Sequence, residues 1–258
     1  MVNQIHATAI VSKNAQLGSG NTIGPFAIIE DNVVLGDNNQ VGAHSIIKNG
    51  CRIGNKNSIH EHVVFGGNPQ DASFSQSAET FLQLGNDNVV REYAVIHRAT
   101  TKESGWTRIG DSNYIMALAH IAHDCQLGNH IQMAGALAGH VHVGDRAFIS
   151  GGVVIHQFAR IGALAMIGGN SKITQDCLPY MITDGVPGRV RGLNAVGLKR
   201  AGFTIQDMRD LKQAYRILFG SRRDMDVILG ELEQLESGYA KNIAAFIKAS
   251  KRNFHRTE

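Results

Sequence analysis

Every sixth residue from Ile5 to Phe65 is large and apolar: Ile5, Val11, Leu17, Ile23, Ile29, Leu35, Val41, Ile47, Ile53, Ile59 and Phe65. That period matches neither the 3.6 of an α-helix nor the alternation of a half-buried strand. It matches a chain that turns a corner after each short strand and sends one bulky side chain inward per face. Glycine often follows the apolar residue (Gly18, Gly24, Gly36, Gly42, Gly54), and a small or turn-forming residue comes four after it (Ala9, Ala15, Ala27, Asn39, Ser45, Cys51, Asn57). Coils of this kind stack at the strand spacing of roughly 4.8 Å, each inward side chain under the next. The expected fold is a parallel β-helix of triangular section.

Interruptions of the phase carry more functional information than the repeat. After Phe65 it resumes at Leu84, Val90 and Ile96, then skips to Ile109, which predicts loops expelled near 66–83 and 101–108. It continues through Ile115, Ile121, Leu127 and Met133, but Val143 then comes two residues too soon for two full repeats. Something irregular therefore lies in the stretch that holds Gly139, His140 and His142. Val143, Ile149, Ile155, Ile161, Ile167 and Ile173 complete the series.

Past Asp184-Gly185-Val186-Pro187-Gly188 the pattern becomes helical. Thr204 is placed as an N-cap three residues before Asp207, with Met208, Leu211, Tyr215 and Leu218 along one face and Gly220 as a stop. Met225 to Glu236 and Tyr239 to Ala249 read as two more helices. The expected organisation is a solenoid over 1–186 and a helical domain over 187–258 that caps its open end, hiding strand edges from other chains.

Composition sets bounds. From Pro187 onward there are 14 basic and 8 acidic residues, against 11 and 14 before it. The helical region thus suits an acidic partner, while no nucleic-acid motif or basic run interleaved with aromatics is present. The 3 cysteines, of which Cys51 and Cys177 fall on the small repeat position, read as packed thiols rather than a disulfide framework. No charged leader, apolar signal region or membrane span is visible, so a soluble, cytoplasmic protein is expected.

The candidates for chemistry are histidines, which thicken in the middle of the chain. His120 and His123 flank Ile121, His140 and His142 flank Val141, and His156 follows Ile155. Ile121 and Ile155 are inward in this phase, so the histidines beside them lie at corners or outer faces. Imidazole titrates near neutrality and suits a general base. Asp124 directly follows His123, and at a corner a carboxylate can fix the tautomer of its neighbour.

The string His120-Ile121-Ala122-His123-Asp124-Cys125, the Ala138-Gly139-His140-Val141 stretch, His156-Gln157-Phe158, and Gly192-Leu193-Asn194 followed by Gly197-Leu198-Lys199-Arg200 resemble the UDP-N-acetylglucosamine O-acyltransferases that begin lipid A (lipopolysaccharide) biosynthesis. The resemblance covers nearly the whole chain. It implies a left-handed β-helix with hexapeptide repeats, an exception to the usual right-handed crossover, assembled as a homotrimer with active sites in clefts between subunits. It also implies transfer of a (3R)-3-hydroxyacyl group from acyl carrier protein to the 3-hydroxyl of UDP-N-acetylglucosamine.

By the same resemblance His123 is the general base, Asp124 supports it, and the Gly139 N–H stabilises the oxyanion. Gln70 and Asp71, in the first loop, match residues near the acyl and sugar groups, and His120, His140, His156, Gln157, Asn194 and Arg200 match positions lining the substrate pocket. Gly169 matches the place where the family limits acyl length, and its missing side chain implies a longer hydroxyacyl chain. A thioester is already activated, so neither metal nor cofactor is needed beyond the carrier's phosphopantetheine. Acyl carrier protein, being acidic, is the implied partner of the basic helical end. Two other readings accompany this one: transfer to a 3-amino UDP-sugar, and an inactive β-helix paralogue that serves in binding or assembly.

Overall fold

The computed structural model describes residues 1–220 and 223–257. Short strands form three sheets, here called faces I, II and III, of 11, 9 and 8 strands, all parallel except for the last strand of face I. The chain visits them in strict rotation, as in Gln4–Ile5 (I), Ile10–Val11 (II) and Gln16–Leu17 (III), and returns to face I at Thr22–Ile23, which pairs in register with Gln4–Ile5. The solenoid is a left-handed parallel β-helix.

The sixfold apolar series supplies its core. Ile23, Ile29, Leu35, Ile47, Phe65, Ile96, Ile121, Ile149 and Ile167 are all at most 1% exposed. Ile5 is 46% exposed because its coil is the first and has nothing stacked beneath it. The corners are built by hydrogen bonds as well as by packing. On edge III/I the side chains of Asn21, Asn39, Asn57 and Asn88 form a buried ladder. Asn57 Nδ2 donates to Asn39 Oδ1 (3.0 Å) and to Gly85 O (2.9 Å), and Asn57 Oδ1 accepts from Asn88 N (2.9 Å). These amides satisfy corner backbone groups that no strand ladder reaches.

Both inserted loops and the short segment are visible. Residues 68–80 link Val64–Gly67 on face II to Phe81–Leu84 on face III, and 98–105 link Val95–His97 to Trp106–Ile109. Both leave the solenoid at the same edge, II/III. The missing residues fall at edge I/II, where Ala134 and Gly135 alone connect Gln132–Met133 to Ala136–Leu137. A Cβ on Gly135 would stand 2.8 Å from Val153 O, so the tight corner requires glycine.

The boundary expected at 186/187 lies inside a β-hairpin. Met181–Asp184 and Arg189–Leu193 pair antiparallel on the end of face I, so strand structure continues to Leu193. Four helices follow: α1 (Ala195–Arg200), α2 (Ile205–Phe219), α3 (Met225–Gln234) and α4 (Gly238–Lys248). Helix α2 begins with the capping box expected from Thr204 and Asp207 and buries Leu211, Ala214 and Leu218. Leu178, Met181 and Val190 of the last coil and hairpin share a second core with Leu198, Leu211, Leu232 and Ile243.

The hairpin and the chain's tail, more than the helices, close the last coil. Asp176 N donates to Asn253 O and His255 N to Asp176 O (both 3.0 Å), while Val190 N donates to Arg256 O (3.0 Å). His255 Nε2 accepts from the main-chain N–H of Thr174 (3.3 Å) and Gln175 (3.2 Å). No helix among the described residues is long and apolar enough to cross a membrane.

Candidate active site

Edge II/III gathers most of the residues singled out from the sequence. Its corners at 122–125, 138–141 and 156–159 stack on one another, beside the two loops. Asp124 and His140 occupy the same corner position in successive coils, at φ of 60° and 61°. This left-handed conformation is costly for most side chains. Asp124 is fully buried under Thr100 of the second loop, and His123 lies beside it on the edge.

His123 Nδ1 lies 2.8 Å from Asp124 Oδ2, at 12% side-chain exposure. The same carboxylate oxygen accepts from Thr100 N (3.0 Å) and Thr100 Oγ1 (2.7 Å), and Asp124 N donates to Thr107 Oγ1 (2.8 Å). Burial by itself would raise the Asp124 pKa. The hydrogen bonds from His123 and Thr100 and the His140 charge outweigh it and hold the carboxyl below its ordinary value. Asp124 is therefore an ionised acceptor that fixes His123 with Nδ1 inward and Nε2 free.

Gly139 sits one coil above His123. A Cβ there would stand 2.8 Å from His123 Nε2 and 3.0 Å from Nδ1, so only glycine lets the imidazole take this place. Gly139 O accepts from Phe158 N (3.1 Å), whereas its own N–H enters no backbone hydrogen bond among the described residues. That donor stays available next to the free nitrogen of His123.

His140 is 6% exposed, edge-on to His123 at 5.1 Å and stacked on Phe158 at 4.5 Å. Its Nε2 lies 3.7 Å from Asp124 Oδ2, and its Nδ1 lies 3.0 Å from Glu103 Oε1. His120, on the outer side of face II, is edge-on to His97 at 4.9 Å. Burial, then the His123 charge, lowers the His120 pKa. His156 and Gln157 are exposed at the next corner, with His156 Nδ1 3.1 Å from Gln157 O.

In the first loop Gln70 is exposed, and Asp71 is bonded by Lys102 Nζ (2.6 Å), Ser73 N (2.9 Å) and Ser73 Oγ (2.7 Å). The Lys102 hydrogen bond, followed by those of Ser73, holds the Asp71 carboxyl well below the usual range.

Three expected site residues lie elsewhere on the chain. Gly169 is on edge I/II, where a Cβ would make ordinary contacts with Gly151 O at 3.5 Å and Ser150 Cβ at 4.0 Å, so there is room for a side chain. Asn194 caps α1, its Oδ1 accepting from Gly197 N (3.1 Å) while Nδ2 donates to Leu164 O (2.9 Å). Its side chain is thus used by the fold. Arg200 is exposed and, with Asn194, Phe148, Met166 and Ile182, lines a cavity of about 650 Å³ on the outer side of face I. None of these three joins the His123 group within a single chain.

The sequence reading missed His97, Thr100, Lys102 and Glu103. His97 directly follows an inward residue, Ile96, just as His156 follows Ile155, and that signal was sufficient to find it. The three loop residues follow no periodic rule. Donor atoms of His123, Asp124 and His140 lie within 4.8 Å of one another, a geometry open to a metal ion. Asp124 Oδ2 is already engaged by three donors.

The family model for UDP N-acetylglucosamine O-acyltransferase, domain 2, matches residues 176–255. An acyl-[acyl-carrier-protein]–UDP-N-acetylglucosamine O-acyltransferase of Alkalilimnicola ehrlichii is 51% identical over 259 residues, covering 99% of this chain and 100% of the relative. The crystal structure of the Francisella novicida UDP-N-acetylglucosamine acyltransferase superposes with a TM-score of 0.96 at 34% identity, over 98% of this chain and 94% of that one. The Campylobacter jejuni enzyme gives 0.93 at 34% identity, over 99% and 100%. With the His123–Asp124 pair, the Gly139 corner and this full-length similarity together, the chain belongs to the UDP-N-acetylglucosamine O-acyltransferase family.

Proposed function

We propose that this chain moves a (3R)-3-hydroxyacyl group from acyl carrier protein to the 3-hydroxyl of UDP-N-acetylglucosamine, the first step of lipid A biosynthesis. The observation that carries the chemistry is the 2.8 Å contact between His123 Nδ1 and the buried Asp124 carboxylate, beside the open N–H of Gly139.

His123 Nε2 takes the hydroxyl proton as the sugar oxygen attacks the thioester carbonyl, and Asp124 stabilises the imidazolium that forms. The carbonyl oxygen becomes an oxyanion facing the Gly139 N–H, a fixed donor placed where negative charge develops. Collapse breaks the carbon–sulfur bond, and the proton on His123 passes to the departing phosphopantetheine sulfur. Each atom transferred is thereby accounted for without a metal or a further cofactor.

The separation of the His123 group from the Asn194 and Arg200 cavity supports a homotrimer in which one subunit's edge II/III faces its neighbour's face I. The basic excess after Pro187 supports docking of acyl carrier protein on the helical end, and a cytoplasmic location follows from that partner. The test is acyl transfer from a panel of hydroxyacyl carrier proteins to UDP-N-acetylglucosamine and its 3-amino analogue, with His123→Ala alongside. Product on the 3-hydroxyl that is lost in the variant is the expected result. Acylation of the 3-amino sugar alone would change the acceptor, and no product from a well-folded oligomer would turn the chain into a scaffold.

A further inference from the structure

Lys102 and Glu103, neighbours in the loop at 98–105, face opposite flanks of the site. Lys102 Nζ is 2.6 Å from Asp71 Oδ2 in the other loop, and Glu103 Oε1 is 3.0 Å from His140 Nδ1. The loop is anchored at both ends. Thr100 bonds to Asp124 and accepts from Lys102 N (3.2 Å), while Ser104 Oγ accepts from Trp106 N (3.3 Å), whose ring stacks on Phe81 at 4.6 Å.

We propose that this loop is a clasp across the active site, in which Lys102 and Glu103 are positioning residues that hold Asp71 and His140 in their working orientations. The proposal rests on the acyl-transfer reading for its consequence and on geometry for its existence. Lys102 and Glu103 are 57% and 45% exposed, so neither ion pair contributes much to stability in water. What they supply is orientation. Ser73 already fixes Asp71 Oδ1, so Lys102 on Oδ2 removes the last rotation of that carboxylate. His140 is held on one ring face by Phe158, and its Nδ1 is buried without a hydrogen bond. The Glu103 carboxylate, 3.0 Å from that nitrogen, positions the ring by charge and close contact rather than by a hydrogen bond.

Trp106 is the chain's single tryptophan, and it ends this loop. Its fluorescence therefore reports loop order independently of turnover. Lys102→Met and Glu103→Gln are each expected to increase acrylamide quenching of Trp106 and to lower kcat/KM about tenfold, the scale on which a misplaced positioning group is felt. Lys102→Arg and Glu103→Asp should recover most of both. Quenching and kinetics unchanged in both neutral variants would overturn the clasp. Looser quenching with unchanged kinetics would remove its role in the reaction, and altered kinetics with unchanged quenching would make these residues direct substrate contacts instead. A wild-type protein that transfers nothing would refute the reading of the reaction, while the quenching comparison still decides whether the loop is held by these two charges.

Discussion

Gly139 lies against the ring of His123, so close that a Cβ at 139 would stand 2.8 Å from Nε2. The nitrogen that must reach the substrate is the one a side chain would displace. Gly139→Ala is therefore expected to lower kcat about a hundredfold, as for an angstrom-scale misplacement of a catalytic group. Its thermal midpoint should fall as well, because the ring is only 12% exposed and its displacement strips a partner from the buried Asp124 carboxylate. Steady-state kinetics beside a thermal melt checks both halves.

The asparagine ladder on edge III/I predicts a stability effect far from the chemistry. Asn57→Ala strips a buried acceptor from Asn88 N and a donor from Gly85 O. Groups left unsatisfied in this way cost about 1–3 kcal/mol each, so a loss of about 3 kcal/mol is expected. A denaturant titration would show it as a lower midpoint with little change in slope.

Acid should weaken the fold through histidines before it reaches the carboxylates. Burial, with the charges of His120 and His123 adding to it, lowers the His97 pKa to about 4, and burial lowers that of His255 as well. A depressed histidine favours the neutral form in the folded chain, so the unfolded chain takes up the proton first. Stability is full above the ordinary value of 6.5 and falls as the pH drops from there toward about 4. Thermal midpoints measured across this window should decline, and His97→Asn should flatten part of the decline. Below the ordinary histidine value the amides of Thr174 and Gln175, which donate to His255, should lose protection relative to their intrinsic exchange rates.

Gly169 offers a test of chain length. A side chain at this position finds open space rather than a clash. Gly169→Met should leave the fold intact and shift preference toward shorter hydroxyacyl donors by about tenfold or more, since each methylene in an apolar groove is worth at least that factor. Ratios of kcat/KM across a donor series would measure it. An unchanged ratio would remove the idea that this residue sets the length.

The coils, both loops and the short segment were legible because an inward residue every six positions is a strong signal, and any departure from it marks a corner. The gathering of histidines on neighbouring coils was legible from the phase, whereas Asp124 was read from its adjacency to His123 and Gly139 only from the family resemblance. Other features left no such trace. Asn39 and Asn57 read as turn formers, and only the three-dimensional stack reveals a hydrogen-bonded ladder. The tail at Asn253–Arg256 closes the last coil mostly through backbone groups, which are the same for every sequence. Lys102 and Glu103 act through distances across a loop, where no period constrains the residue.

The two-residue corner of Ala134 and Gly135 sits on a different edge of the prism from His123 and the loops. Since a coil is recovered at each face by its own pairing, Ala136–Leu137 still meets His120–Ile121 in register despite the shortened path. The three edges of this solenoid are thus separately editable: residues can be added or removed along one seam while the reacting groups on another keep their coordinates. A graft that lengthens this corner can accordingly reshape edge I/II, where Gly169 lies, with the His123–Asp124 pair left untouched.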